Sequence, residues 1–184
     1  YQGDTLMPIK KILVPTDFSE FADRAIETAE RLAKSAGAEI HLLHVLHLPV
    51  QAVSPEMAVV PVGFWQDLRT FAQRKLDASR AAIEKQGLRC TAEIIEDVPG
   101  FAIAAAAKRT NADLIVMGSR GLTGLKHVLL GSVAERTVRT APCPVLTVKH
   151  ETKGGLELRK ILVPVDFSPA SDRALALAKE LAKT

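Results

Sequence analysis

Short apolar, β-branched runs alternate along this chain with longer segments whose apolar residues recur at helical spacing. The runs predict five strands, over Lys11–Thr16, Ala38–Leu46, Arg89–Glu96, Asp113–Gly118 and Pro144–Lys149. The segments between them predict four helices: one that follows Ser19, then Phe64–Lys85, Gly100–Arg109 and Ser132–Thr140. Strands and helices that alternate in this way are typical of a parallel sheet with helical crossovers. The pattern therefore predicts an α/β fold, a doubly wound five-stranded parallel sheet with helices on both faces.

Local signals mark the ends of several predicted helices. Ser19 is a preferred N-cap for the first helix, and Gly37 is a typical stop at its end. Ser132 lies where the last helix begins, so we expect its side chain to cap that helix. Residues Pro49–Pro61 contain three prolines and no hydrophobic period, which predicts a loop.

The composition excludes several classes of function. The 184 residues include 24 Lys and Arg against 21 Asp and Glu, and this small excess is not gathered into the basic stripe of a nucleic-acid binder. No stretch approaches the ~18 apolar residues of a membrane span. The two cysteines form neither a disulfide framework nor a metal-ligand motif. We expect a cytoplasmic protein that binds neither nucleic acid nor a membrane.

The beginning of the chain recurs near its end. Lys11–Pro15 (KILVP) returns as Lys160–Pro164, and Asp17–Ser19 (DFS) returns as Asp166–Ser168. Each residue of the second copy follows its counterpart by 149 positions. The repeat therefore predicts a fold that uses the same strand, turn and helix twice.

This repeat divides the chain into three parts. We expect one complete domain at residues 7–150, a linker at residues 151–158, and the first strand and helix of a second copy at residues 159–184. The C-terminus thus carries a partial β-α repeat. A segment this short rarely folds alone, so we expect the natural unit to be a tandem pair of which 159–184 is a cut edge.

A glycine-rich loop, Met117–Val133, joins the fourth predicted strand to the start of a helix. Glycine lets the backbone approach a ligand closely, and a helix N-terminus favours anions. The loop contains neither a Walker motif nor Gly-x-Gly-x-x-Gly. A phosphate site and a plain tight turn are equally compatible with these residues. Arg120, inside the loop, is either a charged donor to a phosphate or a solvated side chain.

The spacing of the loop's glycines resembles the nucleotide-binding signature of the universal stress protein family. Two residues separate Gly118 from Gly121, and nine separate Gly121 from Gly131-Ser132. Three further segments resemble the family's first strand with its terminal aspartate, its second-strand ending and its approach to the last strand: Val14–Ser19, His44-Val45 and Ala141–Val145. The resemblance covers Met7–Lys149 and restarts at Lys160.

This resemblance implies a fold, a ligand and a set of binding residues. The implied sheet order is 3-2-1-4-5, with a ligand in the crevice at the carboxyl ends of strands one and four. The implied ligand is ATP, with or without magnesium, in a nucleotide-dependent regulator of the stress response. The adenine end would meet Asp17 and the main chain of Val45. The ribose would be lined by Pro15, Met117 and Gly118, and the phosphates would accept hydrogen bonds from Gly121, Gly131, Ser132 and Val133.

Two other functions remain open. Hydrolysis of ATP is one, but the family places Asp17 near the base and away from the γ-phosphate, so we expect slow turnover or none. A nucleotide-independent interaction module is the other. Its basis is the apolar last strand, Val145–Val148, whose edge would seek pairing in a homodimer or between tandem copies.

Histidine and cysteine residues suggest metal or nucleophile chemistry that the patterns do not support. His41 and His44 lie in one predicted strand, where alternate side chains point to opposite faces, so they do not converge with His47 on one ion. Cys143 lies between two prolines beside a strand, and we expect it to be a small buried residue.

Overall fold

A parallel five-stranded sheet with the order β3-β2-β1-β4-β5 forms the centre of the molecule. The computed structural model describes residues 8–47, 63–121, 130–149 and 160–183. The strands are β1 (Lys11–Pro15), β2 (Glu39–Leu46), β3 (Cys90–Glu96), β4 (Leu114–Gly118) and β5 (Val145–Val148). The helices are α1 (Glu20–Ala36), α2 (Phe64–Glu84), α3 (Pro99–Thr110), α4 (Ser132–Thr140) and α5 (Pro169–Leu181). The predicted doubly wound fold and strand order are confirmed.

Helices cover both faces of the sheet, and the strand residues alternate between them. Ile12 and Val14 of β1 pack beneath α1 and α2, on what we call the first face. Leu13, between them, packs beneath α3 and α4 on the second face. All three side chains are fully buried. Such two-sided burial explains why the central strands are continuous apolar runs and not alternating ones.

The helix caps follow the predicted signals in α1 but not in α4. Ser19 caps α1, since its hydroxyl accepts a hydrogen bond from the amide of Ala22 at 3.3 Å. Gly37 ends α1 in the left-handed conformation at φ 68°. The prediction that Ser132 caps α4 is wrong: the N-cap is Gly131, and no side chain caps the helix. Ser132 is already the first helical residue, whereas a capping side chain must come from an extended one.

The second copy of the repeat forms its helix and lacks its predicted strand. Residues 160–168 pair with no strand among the described residues, and α5 follows them. Leu162 and Phe167 are 91% and 92% exposed. A strand needs at least one neighbouring strand to satisfy its backbone groups, and none of the described strands pairs with this segment. Leu177 and Leu181 of α5 pack against the first-face cluster.

Three predicted features lie outside the described residues: the loop Pro49–Pro61, the middle of the glycine-rich loop at residues 122–129, and the linker at residues 151–158. Within the described ranges, none of the helices combines the length and the hydropathy that crossing a bilayer requires.

Candidate functional site

The strand order opens a crevice between the carboxyl ends of β1 and β4. These two strands are neighbours, with Ile12 opposite Leu114 and Leu13 opposite Ile115. The chain leaves β1 towards α1 on the first face, and the helix that follows β4, α4, packs on the second face. Where adjacent connections diverge in this way, open α/β sheets bind their ligands. The crevice is therefore where side chains and backbone groups of a binding site are expected to meet.

The turn after β1 fixes the carboxylate of Asp17 at this crevice. Asp17 Oδ1 accepts a hydrogen bond from the amide of Ser19 at 3.1 Å and another from the Ser19 hydroxyl. The Phe18 amide donates to the hydroxyl oxygen of Thr16 at 3.0 Å. Phe18 itself has a φ of 62°, which is unusual for a residue with a side chain. The turn thus aims Oδ1 at its own backbone, while Oδ2 lies on the side of the loop that follows β4.

Gly118, at the end of β4, and Gly121, just after it, lie so close to the segment that follows β1 that a side chain at either position would clash. A Cβ on Gly121 would lie 2.5 Å from Asp17 Oδ2, and a Cβ on Gly118 would lie 2.9 Å from Phe21 Cβ. A Cβ on Gly131 would come no closer than 3.5 Å to the backbone of Arg120 and Ser119, which is ordinary contact. The two sequence motifs that the spacing singles out therefore converge on one place.

The start of α4 lies against the same loop. The Gly131 amide donates to the carbonyl of Ser119 at 2.8 Å, and the Ser119 amide donates to the carbonyl of Val148 at 2.8 Å. The Gly131 N–H, predicted to bind a phosphate, is thus used inside the protein. Ser132 and Val133 occupy the first turn, where N–H groups have no partner within the helix. With no side-chain cap, this end of α4 is suited to an anion.

The main chain of Val45 faces the crevice because β2 is longer than β1. Leu43 accepts a hydrogen bond from Thr16 on the β1 side, and Leu46 accepts one from Asp97 on the β3 side. Because strand residues alternate, Val45 points its N–H and carbonyl to the same side as Leu43. β1 has ended at Pro15, which is opposite Leu43, so the β1 ladder does not reach Val45.

His44 links the end of β2 to the Asp17 turn, a role that the sequence did not predict. Its Nδ1 lies 2.8 Å from the Thr16 carbonyl oxygen, and its ring stacks on Phe18 with a centroid distance of 4.4 Å. Burial lowers the pKa of His44, against the hydrogen bond to Thr16 and the charge of Asp17, which both raise it. Strand alternation was the available signal, since it directs His44 to the first face beside the end of β1.

The structure brings the predicted binding residues to one edge of the sheet in different ways. Asp17, Gly121 and Gly131 meet through the glycine loop, and Pro15 and Gly118 end the two central strands. The Met117 side chain is 5% exposed and packs in the second-face cluster, so only its main chain is available to a ligand. Arg120 contributes backbone contacts to Gly118 and Gly131 and has a half-buried side chain.

The side chains considered above as metal ligands or as a nucleophile make structural contacts within the protein. His41 contacts Thr91 and Glu93 at 2.7 Å each, on the opposite face from His44. The described residues contain no group of three or more side chains able to hold a metal ion. Burial raises the pKa of Cys143 to about 11, which disfavours the reactive thiolate.

Comparisons with curated proteins indicate a single family. The model of the universal stress protein family matches residues 8–149. Universal stress protein MJ0531 of Methanocaldococcus jannaschii is 38% identical over 148 residues, which are 78% of this chain and 84% of that protein. YxiE of Bacillus subtilis is 32% identical, over 76% of this chain and 98% of that protein.

Solved structures share the same fold. The structure of MJ0577, also from Methanocaldococcus jannaschii, is 33% identical with a TM-score of 0.68 and covers 77% of this chain and 96% of that one. A universal stress protein from Archaeoglobus fulgidus, 28% identical with a TM-score of 0.57, matches 81% of this chain and only 48% of its own.

Two more distant neighbours were solved with nucleotides and share the fold alone. One is a universal stress protein in complex with cAMP, 22% identical, with a TM-score of 0.58 and coverage of 78% and 98%. The other, from Archaeoglobus fulgidus in complex with dAMP, is 23% identical, with a TM-score of 0.53 and coverage of 77% and 99%. From the family match over residues 8–149 and the 38% identity to MJ0531, the chain belongs to the universal stress protein family.

Proposed function

We propose that this chain binds an adenine nucleotide, ATP, in the crevice between β1 and β4 and acts as a nucleotide-dependent regulator. The observation that carries the proposal is the contact between the two motifs, where a Cβ on Gly121 would lie 2.5 Å from Asp17 Oδ2. An acceptor carboxylate and an uncapped helix start at one crevice match the two ends of a nucleotide. Proteins of the same fold bound to cAMP and dAMP support the ligand class.

The base end of the proposed site consists of Asp17 and the main chain of Val45. A carboxylate accepts from the exocyclic amino group of adenine, and the N–H and carbonyl of Val45 can meet the remaining polar edge of the base. Ser19 donates to Asp17 Oδ1, and Oδ2 lies beside Gly121. This pairing favours adenine over guanine, which presents a carbonyl oxygen where adenine carries its amino group.

The phosphate end consists of backbone N–H groups and one cation. Ser132 and Val133 supply the first-turn amides of α4, Gly121 supplies a loop amide, and Arg120 supplies a charged side chain. Gly131 serves here by its lack of a side chain, because its amide is already bonded to Ser119. Main-chain groups of Pro15, Met117 and Gly118 would line the ribose between the two ends. Magnesium, if it accompanies ATP, would be held mainly by phosphates and water.

The proposal is binding with slow or no hydrolysis. Phosphoryl transfer to water needs a group that orients the attacking water and charges that stabilise the transition state. Asp17 is committed to Ser19 and to the base end of the site, away from the terminal phosphate. The bound nucleotide would therefore change the protein's conformation or its partners, and would not serve as an energy source through hydrolysis.

Calorimetric titration with ATP and a parallel melting curve test this function. At 100 times the dissociation constant, ATP should stabilise the fold by about 2.7 kcal/mol. Gly131→Val is the matched variant, since a Cβ at Gly131 meets nothing closer than 3.5 Å and its φ of −73° suits any residue. It should fold normally and lose the ATP-induced shift. No heat and an unchanged melting temperature for the wild type would disprove the proposal.

A second candidate function, a nucleotide-independent dimerising module, rests on β5. This four-residue strand is an edge of the sheet, and Val145, Leu146 and Thr147 are only half-buried. Edge strands offer unpaired backbone groups to another chain, which suits a homodimer. Sedimentation with and without ATP separates the candidates, because an assembly indifferent to nucleotide supports the second one.

We also propose a tandem organisation, with residues 159–184 opening a second domain of the same kind. Leu162 and Phe167 are almost fully exposed, whereas their counterparts Leu13 and Phe18 are covered. A relative in which the match takes up 48% of the chain has room for a second such domain.

Free thiols at Cys90 and Cys143 support a reducing, cytoplasmic location for the protein.

A further inference from the structure

The turn Asp-Phe-Ser occurs twice in this chain. Contacts present in both copies form the turn, and contacts present only in the first copy attach it to the sheet. Phe18 and Phe167 have φ values of 62° and 61°. The amide of Ser19 lies 3.1 Å from Asp17 Oδ1, and the amide of Ser168 lies 2.9 Å from Asp166 Oδ1. The sequence Asp-Phe-Ser therefore forms the same turn with its own hydrogen bonds, whether or not a sheet surrounds it.

The copies differ in what lies against the phenylalanine. Phe167 is 92% exposed. Phe18 is half-buried, packs against the first-face cluster and stacks on the His44 ring at an interplanar angle of 27°. Among the described residues, the second copy has no such tether, so in the first copy the tether to β2 is an addition to a turn that is already formed.

The hydrogen bond from His44 to Thr16 fixes which ring nitrogen carries the proton, and it links β1 to β2. A carbonyl oxygen only accepts, so Nδ1 carries the proton that it donates to Thr16 over 2.8 Å. Thr16 directly precedes Asp17, and His44 directly precedes Val45. The regular ladder between the strands ends one step earlier, where the Thr16 amide donates to Leu43. The histidine bond is therefore a link between β1 and β2 at the level of the crevice.

We propose that His44 is a positioning residue of the nucleotide site, which sets the separation between the Asp17 carboxylate and the Val45 main chain by tying the turn to β2. This inference rests on the proposed function, because those two groups are the ones assigned to the base. His44 itself need not touch the nucleotide. The two contacts of His44 have distinct roles. The ring stack covers Phe18, and the hydrogen bond from Nδ1 to Thr16 fixes the position of the turn along β2.

Two substitutions divide these contacts. His44→Phe keeps an aromatic ring for Phe18 and removes the donor. His44→Asn removes the ring and keeps an N–H near the position of Nδ1. His41→Phe is the control, since His41 lies in the same strand, faces the other side and contacts Thr91 and Glu93. Each variant is compared with the wild-type chain in melting temperature and in the dissociation constant for ATP.

The expected result is a split between folding and affinity. His44→Phe should melt as a folded protein and bind ATP at least tenfold more weakly, and His44→Asn should recover affinity to within about threefold of the wild type. His41→Phe should leave the affinity for ATP unchanged. Recovery by asparagine distinguishes a donor that positions the turn from a ring that only fills space.

Four outcomes would overturn the inference. If His44→Phe binds ATP as the wild type does, or if His44→Asn binds as weakly as His44→Phe, the inference fails while the proposed function stands. If the wild-type chain binds no ATP, the proposed function fails and takes the inference with it. A His44→Phe chain that does not fold assigns the residue a structural role and also contradicts the inference.

Discussion

Gly121→Ala adds one methyl group at the point where the two motifs meet. Its Cβ would lie 2.5 Å from Asp17 Oδ2, so the carboxylate must retreat by roughly 0.9 Å to reach the 3.4 Å of ordinary contact. Asp17 is not free to move, because Ser19 holds its other oxygen through an amide and a hydroxyl. The methyl group therefore displaces a fixed carboxylate and not a loose side chain.

The size of the effect follows from the bonds that the shift disturbs. A hydrogen bond to a charged group contributes about 1.5–3 kcal/mol, so weakening one should lower the free energy of unfolding by about 1–2 kcal/mol. In a chain of this size that corresponds to a fall of roughly 2–8 °C in melting temperature. The displaced Asp17 also leaves the base end of the proposed site, so the affinity for ATP should fall at least tenfold.

Gly131→Ala is the matched control for this prediction. The nearest atoms to its Cβ are at 3.5 Å, and its φ of −73° and ψ of 156° suit alanine. Its free energy of unfolding should change by less than about 1 kcal/mol, because alanine restricts the unfolded chain but is a poorer N-cap residue than glycine. Urea unfolding without nucleotide compares the two variants. If Gly121→Ala is as stable as Gly131→Ala and binds ATP like the wild type, the contact with Asp17 does not constrain the site.

Three further predictions concern stability and reactivity. Leu13→Ala should cost about 2–5 kcal/mol of unfolding free energy, whereas its repeat counterpart Leu162→Ala should change it by less than about 0.5 kcal/mol; equal losses in urea unfolding would mean that residues 160–168 are packed. Burial raises the pKa of Glu93, but hydrogen bonds from His41 and Arg109 lower it by more, so the pKa of Glu93 in the folded protein lies below 4.5. Its contribution to stability is thus present above that value and lost as pH falls through the folded pKa, and Glu93→Gln should flatten the measured loss between about pH 5 and pH 3. Burial raises the pKa of Cys90 to about 12, so a thiol reagent at about pH 8 should label it only at the rate of unfolding; rapid labelling of native protein would contradict this burial.

The fold was predictable from the sequence because its signals are local and periodic. The strands and helices alternate. Ser19 marks the start of α1 because its hydroxyl caps the helix, and Gly37 marks its end because glycine readily adopts a positive φ. Strand order is different in kind. Periodicity does not say which strands are neighbours, so the order 3-2-1-4-5 came from resemblance to a family and was then confirmed.

For the candidate site, the sequence proposed residues but did not predict the contacts between them. Resemblance to the family singled out Asp17 and Gly121, but their approach depends on how two loops 104 positions apart in the chain fold over the sheet. The helix lies at Ser132–Thr140 as predicted, so its N-cap is the preceding residue, Gly131, and the expected cap by Ser132 did not follow from that range. His44 was read as a motif residue and a rejected metal ligand, because nothing in the pattern shows that it bonds to Thr16.

The C-terminal repeat shows the limit of local sequence. Asp166–Ser168 forms the same turn as Asp17–Ser19, since the hydrogen bonds lie within the three residues. Residues 160–165 carry almost the same letters as β1 and form no strand. A strand needs at least one neighbour for backbone pairing, and no strand in the described part of the chain pairs with residues 160–165.

A crystal structure of the chain grown with saturating ATP tests the central claim most directly. We predict density for one nucleotide in the crevice between β1 and β4, with adenine against Asp17 and the main chain of Val45. Its phosphates should lie at the amides of Ser132 and Val133. An empty crevice at saturating ATP, or a nucleotide bound elsewhere on the chain, would contradict the account.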